Sequence, residues 1–287
     1  MTPTVRAALW MTGAIASFSA MAVAGRQISF ALDTFEIMLY RSLIGIVIVC
    51  TAATLTRSWG QVGTRDLPLH LVRNLAHFTG QNLWFFAVAS IPLAQVFSLE
   101  FTSPIWVLLL SPLLLGERLT ARGLTAAAIG FAGVLLVTRP GSAPITPGLL
   151  AAAACAIFFA LTAIFTRKLT RTHAITDILF YLTTMQAVFG LVCAGIDGDI
   201  ALPGPATAPW LVLIGCAGLA AHWCLTTALS LAPATVVMPI DFARLPAIAL
   251  IGALVYGERI DAALVAGGAL ILAGNWVNLS GARRARA

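Results

Sequence analysis

One register runs through this chain twice. Apolar segments of about 17–23 residues, long enough to cross a bilayer, fill nearly all of it, separated by short polar breaks. There are ten, and the last five repeat the first five 141 residues on. The offset aligns Phe18 with Phe159, Ala22 with Ala163, Arg26 with Arg167, Tyr40 with Tyr181, Pro92 with Pro233, Phe101 with Phe242 and Ala132-Gly133 with Ala273-Gly274. It also aligns Gly116-Glu117-Arg118 with Gly257-Glu258-Arg259, and the acid Glu100 with the acid Asp241. A register held from Phe18 to Gly133 is the mark of duplication. The division falls between 1–141 and 142–287, one five-helix repeat each.

Hydrophobic residues make up 60% of the chain and charged residues 10%, against about 25% charged in a soluble domain. Lipid is therefore the solvent for most of the surface. The spacing predicts helices at 5–24, 35–55, 69–89, 93–115, 121–138, 147–166, 175–196, 208–230, 235–256 and 261–280, an all-α membrane protein of ten transmembrane helices. Pro92 and Pro233 open helices, Gly116 and Gly257 close them, and Thr34 and Thr176 are the expected N-caps with Glu36 and Asp177 in the first turns. Arg6, an apolar run and Ala22-Val23-Ala24 also resemble a signal peptide. A retained first helix is the expectation, since its repeat partner around Phe159 lies mid-chain.

The net charge of +6 is scattered through the connections and points to orientation rather than to nucleic acid. With a cytoplasmic N-terminus, the inner segments carry Arg6, Arg57, Arg65, Arg73, Arg118, Arg122, Arg167, Lys168, Arg171, Arg283, Arg284 and Arg286, and the outer ones Arg26, Arg139 and Arg259. That bias places both termini in the cytoplasm. Five spans being an odd number, the second repeat enters from the opposite face. Inverted repeats of this kind support alternating access to a midplane site, the architecture of transporters.

Ionisable groups within a bilayer core mark function more often than chance. Arg41, Glu100, Asp241 and Arg244 are such groups. Glu100 and Asp241 each stand eight residues after a helix-opening proline, so at ~1.5 Å per residue they flank the midplane from opposite sides. Two readings stay open: contact with a solute or a proton, and buried pairing with Arg41 and Arg244 that fixes helix packing. Asn74, His77, Gln81 and Phe85 form one stripe on the third span, and Gly215, Gly218, His222 and Thr226 its repeat on the eighth. Such a stripe lines a cavity or glues helices together. With Phe101 and Trp223 added, a cavity of aromatic, imidazole, amide and charged groups suits an amphipathic solute such as an aromatic amino acid, or a hydrophobic cation. The expected substrate-binding set is His77, Gln81, Phe85, Glu100, Phe101, His222, Trp223, Asp241, Arg41 and Arg244.

Small residues at Ala126, Gly130, Gly133, Ala266, Gly267 and Gly274 permit close helix contact within one chain or in a homodimer. The five cysteines lack CxxC spacing and read as small buried hydrophobes. No phosphate loop, HExxH or GxSxG is present, so neither an enzyme, a metal nor a cofactor is expected.

In its two five-span repeats, its doubled Gly-Glu-Arg, Arg41 in the second span and the proline before the fourth, the chain resembles the EamA-type family of the drug/metabolite transporter superfamily. The resemblance covers about 5–280. It implies an inner-membrane carrier that exports metabolites or drugs through a cavity formed by spans 3, 4, 8 and 9. Within the family the general character is similar to bacterial aromatic amino-acid exporters. The alternatives are a multidrug or cationic-metabolite exporter using Glu100 or Asp241, and a membrane scaffold or channel.

Overall fold

The computed structural model describes residues 1–29, 31–139, 145–196, 198–257 and 261–284. Glu258, Arg259, Arg286 and the division at 141/142 lie outside them. Among the described residues twelve α-helices follow one another: α1 Pro3–Ile28, α2 Thr34–Leu55, α3 Leu67–Ser90, α4 Leu93–Glu100, α5 Ser103–Leu115, α6 Ala121–Thr138, α7 Pro147–Leu169, α8 Ile175–Ala194, α9 Ala208–Leu231, α10 Ala234–Val237, α11 Arg244–Tyr256 and α12 Ala262–Arg284. A 3-10 segment, Met238–Ala243, joins α10 to α11, and a short 3-10 turn, Trp59–Gln61, precedes α3. No strand occurs among the described residues.

Among the described residues, six stretches are long and apolar enough to cross a membrane: Pro3–Ile28, Thr34–Leu55, Pro147–Leu169, Ile175–Ala194, Ala208–Leu231 and Ala234–Val255. Ser103–Leu115, Ala121–Leu136 and Ala262–Gly274 are shorter apolar helices. α3 is long enough, but its sequence carries His70, Arg73, Asn74, His77, Gln81 and Asn82. All six of these polar side chains are buried, whereas Leu113 and Trp276 are 82% and 72% exposed. Polar groups inside and bare apolar groups outside invert the soluble pattern and match a lipid surround.

The repeat register holds in three dimensions. α2 and α8 begin at Thr34 and Ile175, α3 and α9 at Leu67 and Ala208, α4 and α10 at Leu93 and Ala234, α5 and α11 at Ser103 and Arg244, and α6 and α12 at Ala121 and Ala262. Each pair is 141 residues apart. Gly116 and Gly257 both end their helices at φ +67°, a conformation a side chain would strain.

The principal helix contacts run between the repeats: α1 with α9 and its counterpart α7 with α3, α2 with α8, and α6 with α12. The α2–α8 pair is held by matched bonds. Glu36 accepts the Ala201 N–H at 2.6 Å, and Asp177, its repeat partner, accepts the Gly63 N–H at 3.2 Å. The Tyr40 and Tyr181 hydroxyls donate to the Ala201 and Gly63 carbonyls, each at 2.8 Å. Each helix thus starts against the connection that follows the other, so the two run antiparallel. The small-residue faces meet within the chain. A Cβ at Gly133 would stand 2.5 Å from the Gly267 carbonyl oxygen, and one at Gly274 2.8 Å from that of Ala126. Backbones approach this closely only where side chains are absent.

Several sequence expectations are corrected. Spans 4 and 9 are broken, not continuous over 93–115 and 235–256. Pro104 has no N–H for the Glu100 carbonyl and Pro239 none for that of Thr235, so the helical ladder fails where these prolines require it. The N-cap of α2 is Asp33, in a reciprocal capping box with Glu36, and α8 starts after Ala174 without a side-chain cap. Cys155 is buried, but Cys216 is exposed on the apolar surface.

Candidate functional site

Both helix breaks open onto one cavity. Glu100 ends α4, Phe101 lies in the first break, and Ser103 and Pro104 start α5. Opposite them Met238 and Asp241 lie in the 3-10 segment and Arg244 is the first residue of α11. α1 contributes Phe18 and Met21, α3 contributes His77, Gln81 and Trp84, α7 contributes Phe159 and Thr162, and α9 contributes His222 and Leu225. Much of the wall is built from repeat partners: Phe18 and Phe159, Gln81 and His222, Trp84 and Leu225, Glu100 and Asp241, Ser103 and Arg244. The cavity is about 60 Å³, room for a few waters but not for an organic solute.

At one end Arg244 joins both acids. Its Nη2 donates to Glu100 Oε1 and, at 2.7 Å, to Asp241 Oδ2. The second Glu100 oxygen accepts the Trp84 indole N–H at 2.6 Å. The Arg244 guanidinium carbon lies 5.1 Å from the Phe18 ring centroid and 5.2 Å from those of Phe97 and Phe101, a geometry in which ring faces offset lost hydration. One cation thus serves two carboxyl groups, with Asp241 Oδ1 and Arg244 Nε unbonded.

At the other end the His77 and His222 rings meet edge to face at 4.5 Å, and Phe18 meets His222 at 5.6 Å. All four imidazole nitrogens and Gln81 Nε2 are buried without a hydrogen-bond partner. Buried polar atoms are normally satisfied, so these form an open set of donors and acceptors around the cavity. Farther along α3, Arg73 donates from Nε to the Thr166 hydroxyl at 3.1 Å and from Nη1 to Asn74 Oδ1 at 2.8 Å. Neither Arg73 nor Arg41 has a carboxylate partner among the described residues, though both are buried.

Of the expected set, His77, Gln81, Glu100, Phe101, His222, Asp241 and Arg244 line this cavity. Three residues do not. Arg41 does not pair with Glu100. α2 packs on α8 and α9, which puts the guanidinium against Gly218, where a Cβ would approach its Nε to 2.5 Å, and in a separate cleft with Thr183 and Gln186. Phe85 points away into the core, its ring filling the space beside Gly25. Trp223 is 52% exposed and packs on Trp10 at 5.8 Å. Sequence reasoning passed over Trp84, Phe18, Phe159 and Thr162. Their signals were present, since Trp84 is one turn beyond Gln81 and the two phenylalanines share the repeat offset.

The first Gly-Glu-Arg triplet also finds its place. Glu117 accepts the Ala234 and Thr235 N–H groups, each at 3.2 Å, and the Thr235 hydroxyl at 3.0 Å, and lies 3.5 Å from Arg167 Nε. It thus caps α10 from the other repeat.

A model of the EamA-like transporter family matches residues 5–139 and again 146–280. A riboflavin transporter of Vibrio cholerae is 28% identical over 273 residues, 93% of this chain and 91% of that protein. The pseudopaline exporter CntI of Pseudomonas aeruginosa is 30% identical over 265 residues, 89% of each. A crystal structure at 23% identity covers 98% of this chain and 99% of its own with a TM-score of 0.80, which shows a shared fold. The named relatives are transporters, not enzymes.

Proposed function

The chain belongs to the EamA-like transporter family, and on that footing we propose that it carries amino acids bearing an aromatic or large apolar side chain out across the cytoplasmic membrane by alternating access. The reading takes the pieces described above as ten spans, α4 with α5 and α10 with α11 each making one broken span, arranged as two inverted repeats with both termini cytoplasmic. The observation that carries it is the cavity between the two breaks. Broken helices at the interface of inverted repeats are where carriers hold solutes, and here the breaks bring Glu100, Asp241 and Arg244 together. The chemistry of the two ends favours a zwitterion. The two carboxyl groups around Arg244, one with a free oxygen, suit an ammonium group, while the imidazoles and, farther along α3, Arg73, which has no carboxylate partner among the described residues, suit a carboxylate. Phe18, Phe159, Trp84 and Phe101 supply ring faces between them.

Uptake into proteoliposomes tests this. Labelled tryptophan, phenylalanine, riboflavin and a lipophilic cation are compared with and without a pH gradient. Saturable movement of the aromatic amino acids supports the assignment. Movement of riboflavin alone transfers it to flavin-like solutes, named for a relative, and movement of the cation alone transfers it to a cationic-metabolite exporter. In that last case Asp241→Asn abolishes cation transport and spares a neutral amphipath.

A further inference from the structure

A second cluster of chemical groups stands outside the cavity, where the α2–α3 and α7–α8 connections meet. His70 is in the first turn of α3, His173 precedes α8, Asp177 is in the first turn of α8, and Asp66 immediately precedes α3. His173 Nδ1 lies 2.5 Å from Asp177 Oδ2, and its Nε2 lies 3.1 Å from Asp66 Oδ2. His70 Nε2 approaches the same Asp177 oxygen at 3.5 Å. His70 is fully buried, and neither ring nitrogen makes a hydrogen bond. The other Asp177 oxygen is held by the Gly63 N–H.

A buried, unbonded imidazole is costly, and packing does not demand one here. The repeat-related positions 141 residues away are Leu211 for His70 and Leu32 for His173, both buried in the apolar core. The acid alone is kept, as Glu36 for Asp177. One end of the molecule therefore carries His, His and Asp where the other carries Leu, Leu and Glu.

We infer that His70, His173 and Asp177 bind a divalent transition-metal ion of the zinc type, and that this ion ties the two repeats together at this end of the bundle. Two imidazoles and a carboxylate are zinc-type donors, and three protein ligands leave a fourth position for water. Bonds of about 2.0–2.2 Å in a tetrahedral site put donor atoms roughly 3.3–3.5 Å apart. The His70–Asp177 spacing already meets this. His173 Nδ1 needs to draw back from Asp177 by about 1 Å, and the proton shared there leaves to solvent as the ion enters. Asp66, on the far nitrogen of His173, is the outer carboxylate that fixes ring orientation and tautomer. Its side chain is 44% exposed, which gives the ion a path in. His70 belongs to the first repeat and the other two ligands to the second.

Cobalt titration of the full chain, purified without a polyhistidine tag, tests this. Four-coordinate Co²⁺ absorbs visibly in the ligand field, and the wild type is expected to take up one such ion per chain, displaced by Zn²⁺. The chain has four histidines, and His77 and His222 remain in the variant His70→Leu/His173→Leu. That variant is expected to lose the band. It is also expected to lose the rise in thermal midpoint that Zn²⁺ gives the wild type. Asp66→Asn, on a partly exposed residue, is expected to weaken binding about 10–100-fold, and it carries the comparison should the double variant fold poorly. A wild type without a four-coordinate band, or a band unchanged in the double variant, overturns the proposal.

Discussion

Removing Arg244 while keeping its stem is the sharpest perturbation of the cavity. In Arg244→Met the side chains of Glu100 and Asp241, 7% and 12% exposed, lose the cation they share. Glu100 keeps the Trp84 indole N–H. Asp241 keeps no donor among the described residues, because Oδ1 is already unbonded and Oδ2 is held only by Arg244. Breaking one buried pair costs about 3–5 kcal/mol, chiefly through the charge left behind. Two carboxylates depend on one cation here, so a loss near the upper end, about 5 kcal/mol, is expected. The triple change Arg244→Met/Glu100→Gln/Asp241→Asn strips all three charges and should return to within about 2 kcal/mol of the wild type, since an uncharged set leaves no ion unpaired. Unfolding in mixed micelles with rising SDS, followed by tryptophan fluorescence, measures both. The reasoning fails if Arg244→Met unfolds at the wild-type SDS fraction, or if the triple variant is no more stable than the single one.

Two further outcomes are expected. Glu117→Ala removes the three bonds that cap α10 from the other repeat and should cost about 1–2 kcal/mol, as for a lost N-cap, while Glu117→Gln should recover part of it; equal SDS midpoints for all three proteins contradict the capping role. Tyr40→Phe and Tyr181→Phe each delete one hydroxyl-to-carbonyl bond, worth about 1 kcal/mol, in opposite connections. Their effects should match in size and add in the double variant, and a large effect at one tyrosine with none at the other would contradict the equivalence of the repeats.

Much of the fold was legible because the repeat supplied two readings of every boundary. Helix starts at Thr34 and Ile175, or Leu67 and Ala208, are visible as polar breaks in an apolar run, and each confirms the other. The breaks in spans 4 and 9 were marked by Pro104 and Pro239, but apolar composition continues through both and masks the missing N–H. In the site, helical spacing fixed which face of α3 carries His77 and Gln81. Arg41 and Glu100 both stand inside spans, but that says nothing about which neighbour a helix meets, and α2 packs on α8 and α9 rather than on α4. Trp223 and His222 are adjacent, so on a helix only one of them can face the cavity, and the polar one does. The His70–His173–Asp177 cluster escaped sequence reasoning because His70 and the His173–Asp177 pair come from two segments far apart in the chain.

Alternating access at the central cavity is the claim on which the rest depends, and thiol accessibility tests it most directly. Ser103 lines the cavity and is buried. Ser103→Cys is placed in a chain whose Cys50, Cys155, Cys193, Cys216 and Cys224 are replaced, and sealed vesicles are treated with a small membrane-impermeant methanethiosulfonate from one side at a time. Modification from either side, slowed from both by the transported solute, with the vesicles remaining tight to the reagent, is the predicted result. Modification from one side only, or leakage of the reagent through the protein, contradicts it.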